Sequence, residues 1–224
     1  MQGELARTLT ELNEANRAGL PAYKLAVMDA ATAALNASGL AERSLAVGAH
    51  APEFALPDVA GADMTLSSLL ARGPVVLAFY RGGWCPYSST ELRALQNRLE
   101  EITRTGATLV AVSPQIPDNS LSTAEKLDLS FPVLSDAGNA VARSYGLVFR
   151  LTEDLREVYA GFGLNVPEAN GDGTFELPLP ATFIIGTDGT VVWRFANADY
   201  TKRAEPDDVI AALATLRDDR AAHG

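Results

Sequence analysis

The chain has 224 residues and a mass of 23.7 kDa, 47% of it apolar, which is ample for one domain with a single large core and cramped for two. A net charge of −10, with no basic run longer than Lys202-Arg203, argues against nucleic acid or an anionic membrane surface as a partner. One cysteine leaves no internal disulfide, no segment approaches the roughly 20 apolar residues of a membrane span, and the start Met1-Gln2-Gly3-Glu4 lacks a basic-then-apolar leader, so the expected location is cytoplasmic.

Residues 4–46 carry helical spacing in two blocks, Leu5, Leu9, Leu12 and then Leu25, Met28, Ala31, Leu35. Gly19-Leu20-Pro21 separates them, and Ser38-Gly39 ends the second with a glycine stop. Residues 1–46 therefore read as a helical N-terminal extension and residues 47–224 as the main domain. The apolar face of the extension needs burial, either on that domain or in a homodimer contact.

From Val47 the composition shifts to short β-like runs. Phe54 to Leu56 and Met64 to Leu66 flank a turn at Asp58 to Gly61 and predict a hairpin, followed by a helical turn over 67–70. Val75 to Tyr80 is an apolar, β-branched run that predicts a buried strand. Arg81-Gly82-Gly83 breaks it, and Glu91, Leu92, Leu95, Leu99 and Ile102 carry helical spacing after the break. A strand at 107–113, a helix near 122–129, a short extended segment at 131–134 and a helix at 139–145 follow. Glu153 to Glu176, rich in acids, glycine and the Asn170-Gly171-Asp172-Gly173 cluster, reads as a loop-rich insertion placed to lie over the active site. Residues 181–185 and 190–195 flank Thr187-Asp188-Gly189 as a hairpin; Pro206 opens a last helix, and residues 217–224 are expected to fray. Strands alternating with helices imply βαβ units and an at least partly parallel sheet.

Cys85 stands at the strand-to-helix junction, where unpaired backbone N–H groups and the helix dipole favour thiolate over thiol, and Pro86 fits the first helical turn. Arg81, four residues upstream, is a candidate to add positive charge and so stabilise the thiolate. Gly82 and Gly83 would leave the sulfur approachable, and Trp84 would form a flat apolar wall beside a bound substrate. His50 and His223 are too few for a Cys-His or Ser-His-Asp scheme, and neither a metal-ligand set nor a dinucleotide or phosphate loop is present, so no cofactor and no metal is expected.

Phe79 to Tyr87, Phe-Tyr-Arg-Gly-Gly-Trp-Cys-Pro-Tyr, resembles the peroxiredoxin-like branch of the alkyl hydroperoxide reductase and thiol-specific antioxidant (AhpC/TSA) family. Val47-Gly48, Ala51-Pro52, Ser113-Pro114-Gln115, Phe131 to Asp136 and Pro180 to Ile185 extend the resemblance over most of the chain, and their order and spacing are more specific than any piece alone. The resemblance implies a thioredoxin-like α/β fold, a central mixed sheet flanked by helices. It implies a thiol-dependent peroxidase that reduces hydrogen peroxide or organic hydroperoxides through Cys85, with an external thiol or thioredoxin-like protein as reductant. It also implies that Leu179-Pro180 is cis and that Pro180 faces the sulfur.

Three departures qualify that reading. Ser88 occupies the place of the second cysteine in Trp-Cys-x-x-Cys and cannot resolve an oxidised Cys85. Either the protein is a single-cysteine enzyme recycled from outside, or serine replaces a cysteine by design. Ala78 and Gly82 stand where typical peroxiredoxins carry the proline and threonine of Pro-x-x-x-Thr-x-x-Cys, and the late-strand arginine is absent. Arg203 recurs in this branch without an assigned role. Two other functions therefore stay open: a thiol–disulfide oxidoreductase of thioredoxin type, and a non-catalytic thioredoxin-fold binding or redox-sensing module.

Overall fold

A computed structural model describes residues 3–223, without the side chains at 118 and 219–223. Helices α1 (Glu4–Ala18), α2 (Ala22–Ala37) and α3 (Leu40–Arg43) come first. Gly39 ends α2 with φ +67°, the left-handed conformation that glycine adopts without a Cβ penalty. Strands β1 (Ala55–Pro57) and β2 (Asp63–Thr65) form the expected hairpin, and α4 (Leu66–Leu70) the turn after it.

The central sheet is built on β3 (Val75–Phe79), every residue of which is buried. It pairs in parallel with β4 (Thr108–Ser113), which pairs in parallel with β5 (Val133–Ser135). On its other side it pairs antiparallel with β8 (Ala181–Ile185), and β8 with β9 (Val191–Ala196), so the order is β5-β4-β3-β8-β9. Strand alternation divides the interior into two layers. Val75, Leu77 and Phe79 meet Val110, Val112 and Phe183 on one face, while Val76 and Ala78 meet Leu109, Ala111 and Ile184 on the other. The fold is therefore α/β with a central mixed sheet flanked by helices.

Helices α5 (Pro86–Asn97) and α6 (Leu99–Arg104) follow β3, α7 (Pro117–Leu127) follows β4, α8 (Ala140–Ser144) follows β5, and α11 (Pro206–His223) closes the chain. Three expectations need correction. Helix α7 starts at Pro117, earlier than expected at 122, because proline at the first helical position costs no hydrogen bond. Residues 153–176 are mostly helical: α9 (Glu153–Ala160) and α10 (Val166–Asn170), closed off by β6 (Val148–Arg150) pairing antiparallel with β7 (Glu176–Pro178). The acids taken as loop residues, Glu153 and Asp154, lie in the first turn of α9, where the dipole favours them, and Leu155, Val158 and Tyr159 bury its inner face. The last helix continues through 217–223, where fraying was expected. Among the described residues no helix is long and apolar enough to cross a membrane.

Both N-terminal helices dock on the main sheet domain. Leu5 and Leu9 of α1 are buried in one cluster with Cys85 and Tyr87. Glu205 caps the start of α1, accepting from the N–H groups of Leu5 (3.2 Å) and Ala6 (2.6 Å), in place of the side-chain cap that Gly3 cannot offer. Arg17 of α1 holds Asp29 of α2 through two hydrogen bonds of 2.8 and 2.7 Å.

Candidate active site

Cys85 is the N-cap residue of α5, in extended conformation, with Pro86 at the first helical position. Its carbonyl accepts from the Ser89 N–H at 3.0 Å, and its own N–H donates to the Gly82 carbonyl at 3.1 Å, so the loop holds the sulfur at the start of the helix. Cys85 is only 2% exposed. The sulfur is reached through a cavity of about 450 Å³, whose lining includes Arg81, Trp84, Tyr87, Tyr159 and Tyr200.

Arg81 is the unusual member of this group. It is 2% exposed, its Nη2 donates to the Tyr159 hydroxyl, and no carboxylate pairs with it among the described residues. Its guanidinium carbon lies 4.8 Å from the Tyr200 ring centroid, 5.1 Å from that of Trp84 and 5.5 Å from that of Tyr159, a set of cation–π contacts. Its Nε is buried with no hydrogen-bond partner. Burial works against the charge, but the neighbouring Tyr159 and Cys85 in their ionised forms outweigh it and hold Arg81 above its ordinary pKa. Burial likewise pushes the Tyr200 and Tyr87 hydroxyls up, which keeps both neutral near pH 7. The cavity thus brings together the Cys85 sulfur, the Arg81 guanidinium and the rings of Tyr87, Tyr159 and Tyr200.

Behind the sulfur, on α5, Ser88 is fully buried and its hydroxyl accepts from Arg203 Nη2 at 3.4 Å. Arg203 Nε donates to Glu91 at 2.6 Å, and both side chains are essentially without solvent. Burial pushes Glu91 up to about 7, partly opposed by Arg203. The loop between β9 and α11 therefore binds the site three times: Tyr200 over Arg81, Arg203 on α5, Glu205 on α1.

Of the residues expected to form the site, Arg81, Trp84 and Cys85 line one cavity, with Trp84 half-buried against the Tyr159 ring at 6.1 Å. The glycines serve another purpose than leaving the sulfur approachable. Gly82 has φ +145°, and a Cβ there would lie 2.3 Å from the Trp84 indole nitrogen. A Cβ on Gly83 would lie 2.1 Å from Thr123 Oγ1, and its N–H donates to Gln115 at 2.7 Å. Both make room for side chains packed on the loop. Pro180 also departs from expectation: no peptide bond is cis among the described residues, so Leu179-Pro180 is trans. The Leu179 N–H bonds to the Leu147 carbonyl at 2.9 Å and the Pro180 carbonyl accepts from Asn197, which keeps the chain extended from β7 into β8, the course favoured before proline. Pro180 lines an adjoining cavity of about 220 Å³ and is absent from the lining of the Cys85 cavity.

Tyr159, Tyr200 and the contribution of α1 and α2 escaped the sequence reading. The signal for Tyr159 was its spacing with Leu155 and Val158; Tyr200 lies in an irregular segment with no periodicity to read.

The model of the AhpC/TSA family matches residues 47–194. The solved structure of peroxidoxin BcpB from Mycobacterium tuberculosis superposes with a TM-score of 0.62 at 27% identity, covering 75% of this chain and 96% of that one. A chloroplastic peroxiredoxin Q of Sedum lineare is 32% identical over 114 residues, 50% of this chain and 61% of its own length. The thiol-disulfide oxidoreductase ResA of Bacillus cereus is 24% identical over 165 residues, 73% of this chain and 78% of its own length.

Proposed function

The chain belongs to the AhpC/TSA family, and from that premise we propose that it is a thiol-dependent peroxidase with Cys85 as its nucleophile. The observation that carries the reading is a thiol at a helix start, in one cavity with a buried arginine that no carboxylate among the described residues neutralises. A buried cation without a counter-ion is costly, and an anion at Cys85 offsets that cost. Arg81 is thereby placed to stabilise the negative charge that develops on the peroxide oxygens.

In the reaction, the Cys85 thiolate attacks the terminal oxygen of a hydroperoxide. An S–O bond forms and the O–O bond breaks; sulfur is oxidised to sulfenic acid, and the leaving alkoxide or hydroxide takes a proton to become alcohol or water. Regeneration consumes two equivalents of an external thiol, which leave as a disulfide with one water. The chain has no other cysteine, and Ser88 supplies no thiol, so the reductant comes from outside, as a small thiol or a thioredoxin-like protein. Tyr159 and Tyr200 line the same cavity, Tyr159 bonded to Arg81 and Tyr200 stacked on it.

Peroxide consumption with dithiothreitol as reductant, run beside insulin reduction, tests the reading. Consumption that disappears in Cys85→Ser is the expected result. Insulin reduction without peroxide consumption would overturn it in favour of a disulfide oxidoreductase.

A further inference from the structure

The Cys85 cavity does not end at the arginine. Met28, Arg81, Tyr159 and Tyr200 line both it and the adjoining 220 Å³ cavity, so the two spaces meet at these side chains. The second space lies under α2, with Met28, Ala31 and Leu35 along its roof and Phe149, Leu151 and Leu155 among its other walls. Hydrogen peroxide is scarcely larger than water, which occupies about 30 Å³ of liquid, and leaves nearly all of this volume unfilled.

The packing of α2 points the same way. Its inward face, Val27, Met28, Ala31 and Leu35, recurs at helical spacing yet is only partly buried, and α2 has no fully buried residue. An apolar face over a cavity lacks partner atoms that a bound apolar group would supply. Arg81 is held by its rings and by Tyr159, whereas Met28 is unbranched with three rotatable bonds, the side chain best able to swing aside between the two spaces. Met28 and Leu35 are seven residues apart, about 10 Å along a helix, which suits an extended chain better than a compact ring.

We propose that the space under α2 receives the alkyl chain of a straight-chain organic hydroperoxide whose peroxide group sits at Cys85 and Arg81, with Met28 as the specificity-determining residue at the junction. This rests on the peroxidase reading above. The roof lies outside residues 47–194, the part matched by the family, so this selection is supplied by the chain's own N-terminal helices. The reaction is the one already balanced, the alkyl hydroperoxide leaving as the corresponding alcohol.

The test is kcat/KM for ethyl, hexyl and decyl hydroperoxide with dithiothreitol as reductant. Each methylene brought out of water contributes about 0.8 kcal/mol, roughly fourfold, until the channel is filled, so the decyl-to-ethyl ratio should exceed tenfold. Met28→Trp, which blocks the junction, should bring that ratio near one, and Ala31→Phe, further along, should cost the decyl substrate more than the hexyl. Calorimetric titration of the unmodified protein with decanol and ethanol gives a reading independent of variants and of catalysis; saturable binding of decanol alone is expected. Equal kcat/KM along the series, or no preference for decanol, overturns the channel and leaves the peroxidase reading standing. No Cys85-dependent consumption of any of the three, nor of hydrogen peroxide run beside them, overturns both.

Discussion

Arg81 is where the chemistry and the packing meet. Its guanidinium lies among three aromatic rings, with one hydrogen bond to Tyr159, and it shares its cavity with the Cys85 sulfur. Arg81→Met keeps the volume and removes the charge. A hydrogen bond to a charged group contributes about 1.5–3 kcal/mol, so kcat/KM should fall roughly 10- to 100-fold for every peroxide, with chain-length preference retained. Arg203 does a different job. Arg203→Ala strands Glu91 in the interior and should cost about 3–5 kcal/mol in denaturant unfolding at alkaline pH. Burial raises Glu91 from 4.5 to about 7, so the folded chain holds a proton that the unfolded chain releases sooner. The associated stability is complete below about pH 4.5 and is lost as pH rises through about 7; Glu91→Gln should remove that part of the pH dependence of Tm. Cys85, Arg81 and Trp84 were legible because all three belong to one short strand-to-helix junction. Tyr159 and Tyr200 were not, because each reaches the sulfur only through tertiary packing from a segment more than 70 residues away.

Among the elements, α5 sets the distance between positions 85 and 88. Residues three apart share a helix face, and a thiol restored at Ser88 would stand beside Cys85 with Arg203 behind it. Ser88→Cys should turn oxidation of Cys85 into an internal disulfide, seen by mass spectrometry after peroxide as a loss of two hydrogens, while the protein with Ser88 gains oxygens. Oxygen additions alone in both forms would mean that the two positions do not face each other. Strongly patterned elements were legible: the buried run of β3, the 181–196 hairpin and the helices of the extension. The 153–176 segment was not, since its short helices are framed by glycines and its acids belong equally to a loop or to a first helical turn. The cis peptide was misjudged because it rested on the resemblance, while the pairing of Leu179 and Leu147 depends on β6 and β7, each only three residues long.

At the scale of the molecule, the site is assembled from the whole length of the chain. The sheet domain supplies Cys85, α1 covers it, α2 roofs the adjoining space, and the 197–205 loop ties them together. Leu9 is 2% exposed within the cluster that includes Cys85 and Tyr87, so Leu9→Ala should cost about 2–5 kcal/mol and loosen α1. Iodoacetamide should then alkylate Cys85 faster than in the parent protein; an unchanged rate would mean that α1 does not limit access. The cap that Glu205 places on α1 has a further consequence during synthesis. Helix α1 leaves the ribosome about 200 residues before Glu205, its partner. Until Glu205 emerges, α1 lacks its cap, so the cover over the Cys85 sulfur is completed only with the last stretch of the chain.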